Sequence, residues 1–275
     1  MRLIKRLVAL LALALLLGVA GCSGLTLAYN QLPFLAGLWV DGYLDLDREQ
    51  ERLLKTQLQT WQAWHRREEL PQLVALLDQA QAAFEGGVTP DELLALERGA
   101  RASMERSLQH AAPLAAPLLA SLQPAQWQHL QHRLDKKLDE WREAQSGPDG
   151  ADERADKYVK SLTLWLGSLD GTTRRQARAD AQAWRVDVPA LAQARTARHA
   201  QLVVALQAWA HQDYSGGTTL LMRNTLPQPI EKPYQDQILA SVQKLLNGLN
   251  TKQREGVRRH WADWRDELQK LQAAT

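Results

Sequence analysis

The order of polar and apolar residues predicts helices and no strands. Alanine, leucine, glutamine and arginine, which favour helices, dominate the chain after its first 33 residues, and no window shows the alternation of a half-buried strand. A first helix is predicted over residues 34–44, with one face formed by Leu35, Leu38, Trp39 and Tyr43. We expect this face to dock on the protein body, because the segment's only charges are acidic; a position on a lipid surface is the alternative.

Four later helices are predicted to begin in the same way. Each starts with a leucine, and a glutamine (a threonine in the weakest copy) follows four residues later; the leucines are Leu46, Leu122, Leu169 and Leu249. The residue after each leucine then takes the N-cap position, and the side chain at N3 can bond back to the N-cap amide. The predicted N-cap residues are Asp47, Gln123, Asp170 and Asn250.

A tryptophan recurs three helical turns inside these helices. It lies 15 residues after the leucine at Trp61, Trp184 and Trp264, and one turn further along, at Trp141, in the remaining copy. N3 and this tryptophan share a helix face, so we expect each tryptophan to anchor the core. The spacings suggest two related halves, residues 34–147 and 151–275, that pack as a single α-helical domain, an antiparallel bundle or array.

Other sequence signals predict helix boundaries. Thr89 caps a helix with Pro90 at N1 and Glu92 at N3. Pro71 and Pro189 are expected to begin new segments. Pro113 and Pro117 are expected to interrupt the segment 111–122 by a kink or a two-step turn. Residues 213–233 are expected to be irregular, and a last helix is predicted over residues 250–271.

The start of the chain has the pattern of an export signal. Arg2, Lys5 and Arg6 precede eleven apolar residues, 7–17, a run too short to span a bilayer permanently. The ending Val19-Ala20-Gly21-Cys22 resembles the bacterial lipobox. This resemblance implies cleavage of the signal peptide 1–21 and a diacylglyceryl group and an amide-linked acyl chain such as palmitate on Cys22. The alternatives are an ordinary secreted protein or an uncleaved signal anchor.

The anchor implies a location and limits the chemistry. Residues 22–33 would form a short tether, and Ser23 in place of aspartate favours, by the same resemblance, the outer membrane facing the periplasm. Removal of residues 1–21 leaves 30 basic and 31 acidic residues, so the formal net charge falls from +2 to −1. Without a positive net charge, we expect no nucleic-acid partner. A lipidated Cys22 leaves no thiol for a disulfide or for catalysis, and no cofactor besides the lipid is expected.

Few residues suggest a functional site. Candidates for a partner or ligand surface are Asp41, Asp45, Arg66, Arg67, Arg258 and Arg259. The acidic run from Asp41 to Asp47 is better explained by helix capping, and the arginines by ion-paired helix surfaces. His129 and His132 could share a metal, but no third strong ligand follows beyond Asp135, so no metal is predicted. No familiar catalytic fingerprint is present.

Two resemblances add to these patterns. Residues 22–50 look like the start of a family of proteobacterial lipoproteins of unknown function, which supports the anchor and the helical fold. The four helix starts are similar to the Leu-Thr-x-x-Gln motifs of small periplasmic chaperones related to Spy, with the threonine replaced by Asp47, Gln123, Asp170 and Asn250.

We therefore expect a lipid-anchored, non-catalytic helical protein of the cell envelope that binds another protein, as a scaffold or a chaperone does. The alternative is an envelope enzyme or an acidic-polymer-binding factor that uses the Asp41–Asp47 run or the arginine clusters.

Overall fold

A computed structural model describes residues 24–226 and 229–273, and the predicted signal peptide and Cys22 lie outside these ranges. Within them the chain forms eleven α-helices and no strand, which confirms the all-α prediction. The helices are α1 (Gly24–Asn30), α2 (Leu32–Leu44), α3 (Arg48–Gly86), α4 (Pro90–Ser121), α5 (Pro124–Ser146), α6 (Gly150–Leu166), α7 (Gly171–Gln182), α8 (Val188–Ala210), α9 (Tyr214–Thr225), α10 (Lys232–Gly248) and α11 (Thr251–Ala273).

Helix α3 is the longest of the eleven helices, and α4 and α11 both pack along it. Its 39 residues extend over about 57 Å, and α4 runs antiparallel along it. The pairing is visible in the hydrogen bond from Trp61 Nε1 to the Ser107 carbonyl and in the contact of Glu69 with Ser103. The last helix, α11, also runs antiparallel to α3, because Arg258 meets Glu85 while Leu271 packs with Leu70.

The predicted helix starts are confirmed. Asp47 and Gln50 form a capping box, as do Thr89 and Glu92. Asn250 and Gln253 bond reciprocally, with Asn250 N donating to Gln253 Oε1 at 2.8 Å and Gln253 N to Asn250 Oδ1 at 3.0 Å. These bonds use amide groups that a helix start otherwise leaves unpaired.

The predicted helix start at Pro71 is wrong, and so is a two-step turn at Pro113 and Pro117. Pro71 lies inside the continuous helix α3, and Pro113 and Pro117 lie inside α4. All three are exposed, whereas their neighbours Leu70, Ala112 and Ala116 are buried. Packing of the buried neighbours holds each helix together where local preference alone would end it.

The structure adds helices in two segments that were not predicted to be helical. Within the predicted short tether over residues 22–33, residues 24–30 form α1, and its Tyr29 is buried with Leu70 and Leu271. In place of an irregular connection over residues 213–233, the chain forms α9, which Asp213 caps by accepting a hydrogen bond from Gly216 N at 2.9 Å.

The protein has two main cores that do not separate at the loop between α5 and α6. One contains Leu44, Leu122 and Leu130 but also Val203 and Trp209 from α8. The other contains Phe84 from α3 together with residues of α6, α7, α10 and α11. The two stretches 34–147 and 151–275 therefore exchange elements and fold as one interleaved body.

The recurrent tryptophans differ in burial. Trp184 is buried, whereas Trp61, Trp141 and Trp264 are only partly covered. Trp209 and Trp261, which lie outside the recurrent pattern, are buried in the two cores instead.

Within residues 24–226 and 229–273, no helix combines the length and the apolarity needed to cross a bilayer.

Candidate functional site

A groove of about 440 Å³ opens between α5, α6, α8 and α10. Each of these helices contributes side chains four residues apart, which places them on one helix face. The groove is lined by Trp141, Gln145, Arg154, Lys157, Tyr158, Ser161, Leu162, Trp165, Leu166, Trp184, Leu191, Arg195, Tyr234, Ile238 and Val242. We call it the cationic groove, because every charged side chain in this lining is basic.

The floor of the cationic groove is aromatic and aliphatic. The Trp184 ring packs edge-on against Tyr158, with ring centroids 4.8 Å apart, and against Tyr234 at 5.8 Å. Trp184 Nε1 donates to Ser241 Oγ at 2.9 Å, which satisfies the only polar group of this side chain. These contacts therefore fix the positions of the aromatic rings in the floor without a bound ligand.

Arginine and tryptophan form one rim of the groove. The Arg195 guanidinium lies over the Trp141 ring, 4.2 Å from its centroid. This cation–π contact orients the arginine without neutralising it. Within the described part of the chain, Arg195 forms no ion pair with a carboxylate.

The other basic residues of the groove have polar neighbours. Arg154 Nη1 donates to Gln145 Oε1 at 3.1 Å, a neutral partner that leaves the positive charge in place. Lys157 Nζ pairs with Glu153 at 3.3 Å, and both side chains are largely exposed. Such an exposed pair contributes little stability and is easily exchanged for another anion.

Tyr158 provides a polar group within the apolar floor. Burial raises the pKa of its hydroxyl, and the negative charge of Asp180 raises that pKa further, so the hydroxyl stays protonated. The buried oxygen has no hydrogen-bond partner among the described residues. Because this oxygen is closed off from solvent, Tyr158 presents its aromatic ring to the groove.

The groove has the size and chemistry of a binding site. Its volume lies within the range of small-molecule and side-chain pockets. An apolar floor with a basic rim suits a ligand that combines apolar groups with a carboxylate or another anion.

A second groove of about 420 Å³ lies between α2 and α3. Its lining includes Phe34, Leu38, Asp41, Glu51 and Lys55. Here both signs of charge are present and one wall is the apolar surface of α2.

The acidic candidates have structural roles. Asp41 Oδ1 accepts a hydrogen bond from Leu46 N at 2.9 Å. Asp45 ends α2 in the left-handed conformation, with φ 51°, and its carbonyl accepts from Gln126 Nε2 at 2.9 Å. Together with the N-cap Asp47, these residues build the turn between α2 and α3.

The arginine candidates lie on separate parts of the surface. Arg66 Nη2 donates to Asn30 Oδ1 at 3.0 Å, and Arg67 is exposed beside Glu68 at 3.7 Å. Arg258 binds Glu85 through two bonds of 2.6 and 2.5 Å, and Arg259 is exposed.

The structure does not bring the acidic and basic candidates together. Leu54, which shares a groove with Asp41, and Glu85, the partner of Arg258, are separated on α3 by about 46 Å. Neither groove contains Arg66, Arg67, Arg258 or Arg259.

His129 and His132 lie on α5, and no cluster of three or more potential metal ligands is found in residues 24–226 and 229–273.

The sequence did not identify the cationic groove. Trp141, Tyr158, Arg195 and Tyr234 come from four helices, so no local motif joins them. The usable signal was the excess of tryptophan, ten residues against two phenylalanines, because partly exposed tryptophans are common at binding surfaces.

Comparison with known proteins identifies a family but no activity. A family model described as "Family of unknown function (DUF6279)" matches residues 42–228, more than half of the chain. No curated protein and no solved structure matches the chain.

Proposed function

The chain belongs to the DUF6279 family, and because this family has no assigned activity, we propose from the geometry of the groove that the protein is a lipid-anchored binding protein of the cell envelope. In this proposal the cationic groove holds a segment of another protein in which apolar side chains lie next to an acidic group. The role is that of a scaffold or a chaperone and involves no catalysis.

The observation that carries the proposal is the Arg195 guanidinium, which lies on Trp141 beside an apolar floor without an ion-pair partner among the described residues. An acidic group of the partner would pair with Arg195 at the rim. Its apolar neighbours would cover the floor around Trp184. These contacts share one site of suitable size.

The location rests on Cys22, which lies outside the described residues. We propose that Cys22 carries the lipid, that residues 1–21 are removed, and that the protein faces the periplasm from the outer membrane. The lipobox-like ending Val19-Ala20-Gly21-Cys22 and the basic, apolar start of the chain support this.

A photocrosslinking experiment tests the groove. A benzophenone side chain is placed in living cells either at Ser161, which lines the groove, or at Thr163, which is also exposed but lies about 200° further around α6. We expect a discrete protein adduct from position 161 and none from position 163. Mass spectrometry should map the adduct to an apolar, acidic segment.

The charge reversal Arg195→Glu provides the specific control. It should reduce the adduct at position 161 by at least about tenfold, because a repulsive charge replaces an attractive one at the rim. The reversal Arg259→Glu, on the exposed surface of α11, should leave the adduct unchanged. Equal adducts at positions 161 and 163, or an adduct insensitive to Arg195→Glu, would contradict the groove proposal.

The anchor is tested separately. Cells supplied with radioactive palmitate should label the wild-type protein, and Cys22→Ala should abolish the label and leave an unprocessed precursor. Normal cleavage of the Cys22→Ala variant would show an ordinary secreted protein instead.

A further inference from the structure

The most exposed large apolar residues of α2 form one continuous face. The exposed fractions are 61 % for Phe34, 52 % for Leu35, 56 % for Leu38 and 66 % for Trp39. Residues 34 and 38, and 35 and 39, are each one helical turn apart, so the four side chains lie together. Leu27 of α1 is also 40 % exposed. We call residues 34, 35, 38 and 39 the apolar face of α2.

The sequence prediction for α2 needs correction at this point. The helix docks on the body as expected, but it does so through Val40, Tyr43 and Leu44, which pack into a core. Of the residues predicted to dock, only Tyr43 packs there, while Leu35, Leu38 and Trp39 point to solvent. The apolar face of α2 is therefore held rigidly outwards.

We propose that the apolar face of α2 inserts into the surface of the lipid bilayer that anchors the protein. A tryptophan among leucine and phenylalanine side chains is the composition of a helix that lies at a membrane interface. Asp41 is the only charged residue of α2, and its carboxylate is turned back to the amide of Leu46. This hydrogen bond lowers the cost of bringing the carboxylate close to the lipid surface.

The position of the face along the chain identifies the occupant as lipid. Gly24 is only two residues after Cys22, and α1 leads directly to α2 through Gln31. The chain path from Cys22 to Phe34 is at most about 30 Å, short compared with the long axis of the body. An acyl group on Cys22 would hold the apolar face of α2 next to the same lipid surface.

Charged side chains lie close to the face. Lys55 and Glu51 line the groove that Phe34 and Leu38 also line, and Arg66 hydrogen-bonds to Asn30 at the end of α1. Long basic side chains next to inserted apolar groups can reach lipid phosphates. The proposal relies on the anchor of the proposed function only for orientation, since the face should bind lipid without acylation.

A single-cysteine experiment tests the insertion. The mature chain from residue 22 is made with Cys22→Ser, which removes the only cysteine. A polarity-sensitive fluorophore is then attached at Leu38→Cys or at the matched control Leu164→Cys, where leucines are 56 % and 60 % exposed. With phosphatidylcholine vesicles, we expect a blue-shifted signal that rises at least about twofold for position 38 and no change for position 164.

Two further variants measure the binding itself. In vesicle co-sedimentation, Phe34→Ser with Trp39→Ser should lower partitioning by at least about tenfold. The control Leu164→Ser with Val204→Ser changes two residues of comparable exposure and should bind as the parent does. Because all four positions are exposed, neither double variant should unfold the protein, which circular dichroism verifies.

Several results would overturn the proposal. No change at position 38, or equal changes at positions 38 and 164, would exclude specific insertion. A change at position 38 that rises with protein concentration without vesicles would identify a second copy of the chain as the occupant. Failure of palmitate labelling with intact vesicle binding would refute the anchor alone.

Discussion

The side-chain amides of Gln50 and Gln126 hydrogen-bond to each other in both directions, although 76 residues separate them. Gln50 Nε2 donates to Gln126 Oε1 at 3.1 Å, and Gln126 Nε2 donates to Gln50 Oε1 at 2.7 Å. Each Oε1 also accepts the N-cap amide of its own helix, from Asp47 or Gln123. One amide pair thus caps α3 and α5 and joins their first turns.

The other two helix starts meet in a related way. Gln253 Nε2, at N3 of α11, donates to Asp170 Oδ2 at 2.6 Å and to Thr173 Oγ1 at 2.5 Å. Leu122, Leu169 and Leu249, which precede α5, α7 and α11, are buried in the core. The four starts therefore form two pairs, α3 with α5 and α7 with α11.

We predict energetic coupling between Gln50 and Gln126. Gln50→Ala should lower the free energy of unfolding by about 2 kcal/mol, because it removes the hydrogen bonds that the buried Gln50 amide makes to Gln126 and Ser121. The double variant with Gln126→Ala should be less destabilised than the sum of the single variants, by about 1 kcal/mol. Urea unfolding measures all three.

The control is Gln59→Ala, the same substitution at an exposed position of α3. It should change the free energy of unfolding by no more than about 0.5 kcal/mol. Strict additivity of Gln50→Ala and Gln126→Ala would show that the amide pair does not join the two helices energetically.

A second prediction concerns the buried carboxylate between α3 and α4. Glu69 accepts hydrogen bonds from Arg106 Nε at 2.6 Å and from Ser103 Oγ at 2.7 Å, and its side chain is 1 % exposed. Arg106→Ala should destabilise the fold by about 3 kcal/mol, because the buried carboxylate loses its counter-charge. The control Arg67→Ala breaks the exposed contact with Glu68 and should cost less than about 1 kcal/mol.

This pair also implies a pH dependence. Burial alone would raise the pKa of Glu69, but the bonds from Arg106 and Ser103 hold the pKa below its ordinary value. The contribution of the pair is therefore complete above the unfolded pKa and is lost as the pH falls through the folded one. The stability difference between wild type and Arg106→Ala should shrink in acid; a difference that grows in acid would contradict the ion pair.

A third prediction concerns the docking of α1. Tyr29 Oη lies 3.1 Å from His65 Nδ1, and burial lowers the pKa of His65, although the charge of Glu69 opposes the shift. Because the folded pKa lies below the unfolded value of about 6.5, docking is strongest above that value and weakens as the pH falls below it. The amides of α1 should exchange with deuterium faster at about pH 5.5 than at about pH 7.5, after correction for intrinsic rates.

His65→Gln should remove this pH dependence of α1 exchange, because the titrating group is absent. His132→Gln, at an exposed position of α5, should retain it. Unchanged pH dependence in His65→Gln would place the responsible group elsewhere.

Capping could be read from the chain because its partners are close in sequence. The bonds of Asp47 with Gln50 and of Thr89 with Glu92 each span three residues, so residue type and spacing were sufficient to predict them. The same holds for the all-α fold, which follows from the helix-forming composition. Prediction failed at Pro71, where burial of Leu70 outweighs the local preference for a break.

The candidate site, in contrast, could not be predicted from local sequence patterns. The sequence directed attention to Asp41, whose carboxylate builds a turn, and to Arg258, which forms an ion pair with Glu85. The cationic groove was missed because Trp141 and Arg195 are brought together only when α5 packs against α8.

By itself, the sequence determined the helices and how they begin, since these depend on interactions within a few neighbouring residues. Tertiary packing alone decided which helix starts pair, where Gln50 meets Gln126, and which side of α2 remains outside. The physical reason is that such choices depend on burial shared by distant segments. A residue such as Trp39 carries the same local pattern whether its face is covered by the protein or left exposed.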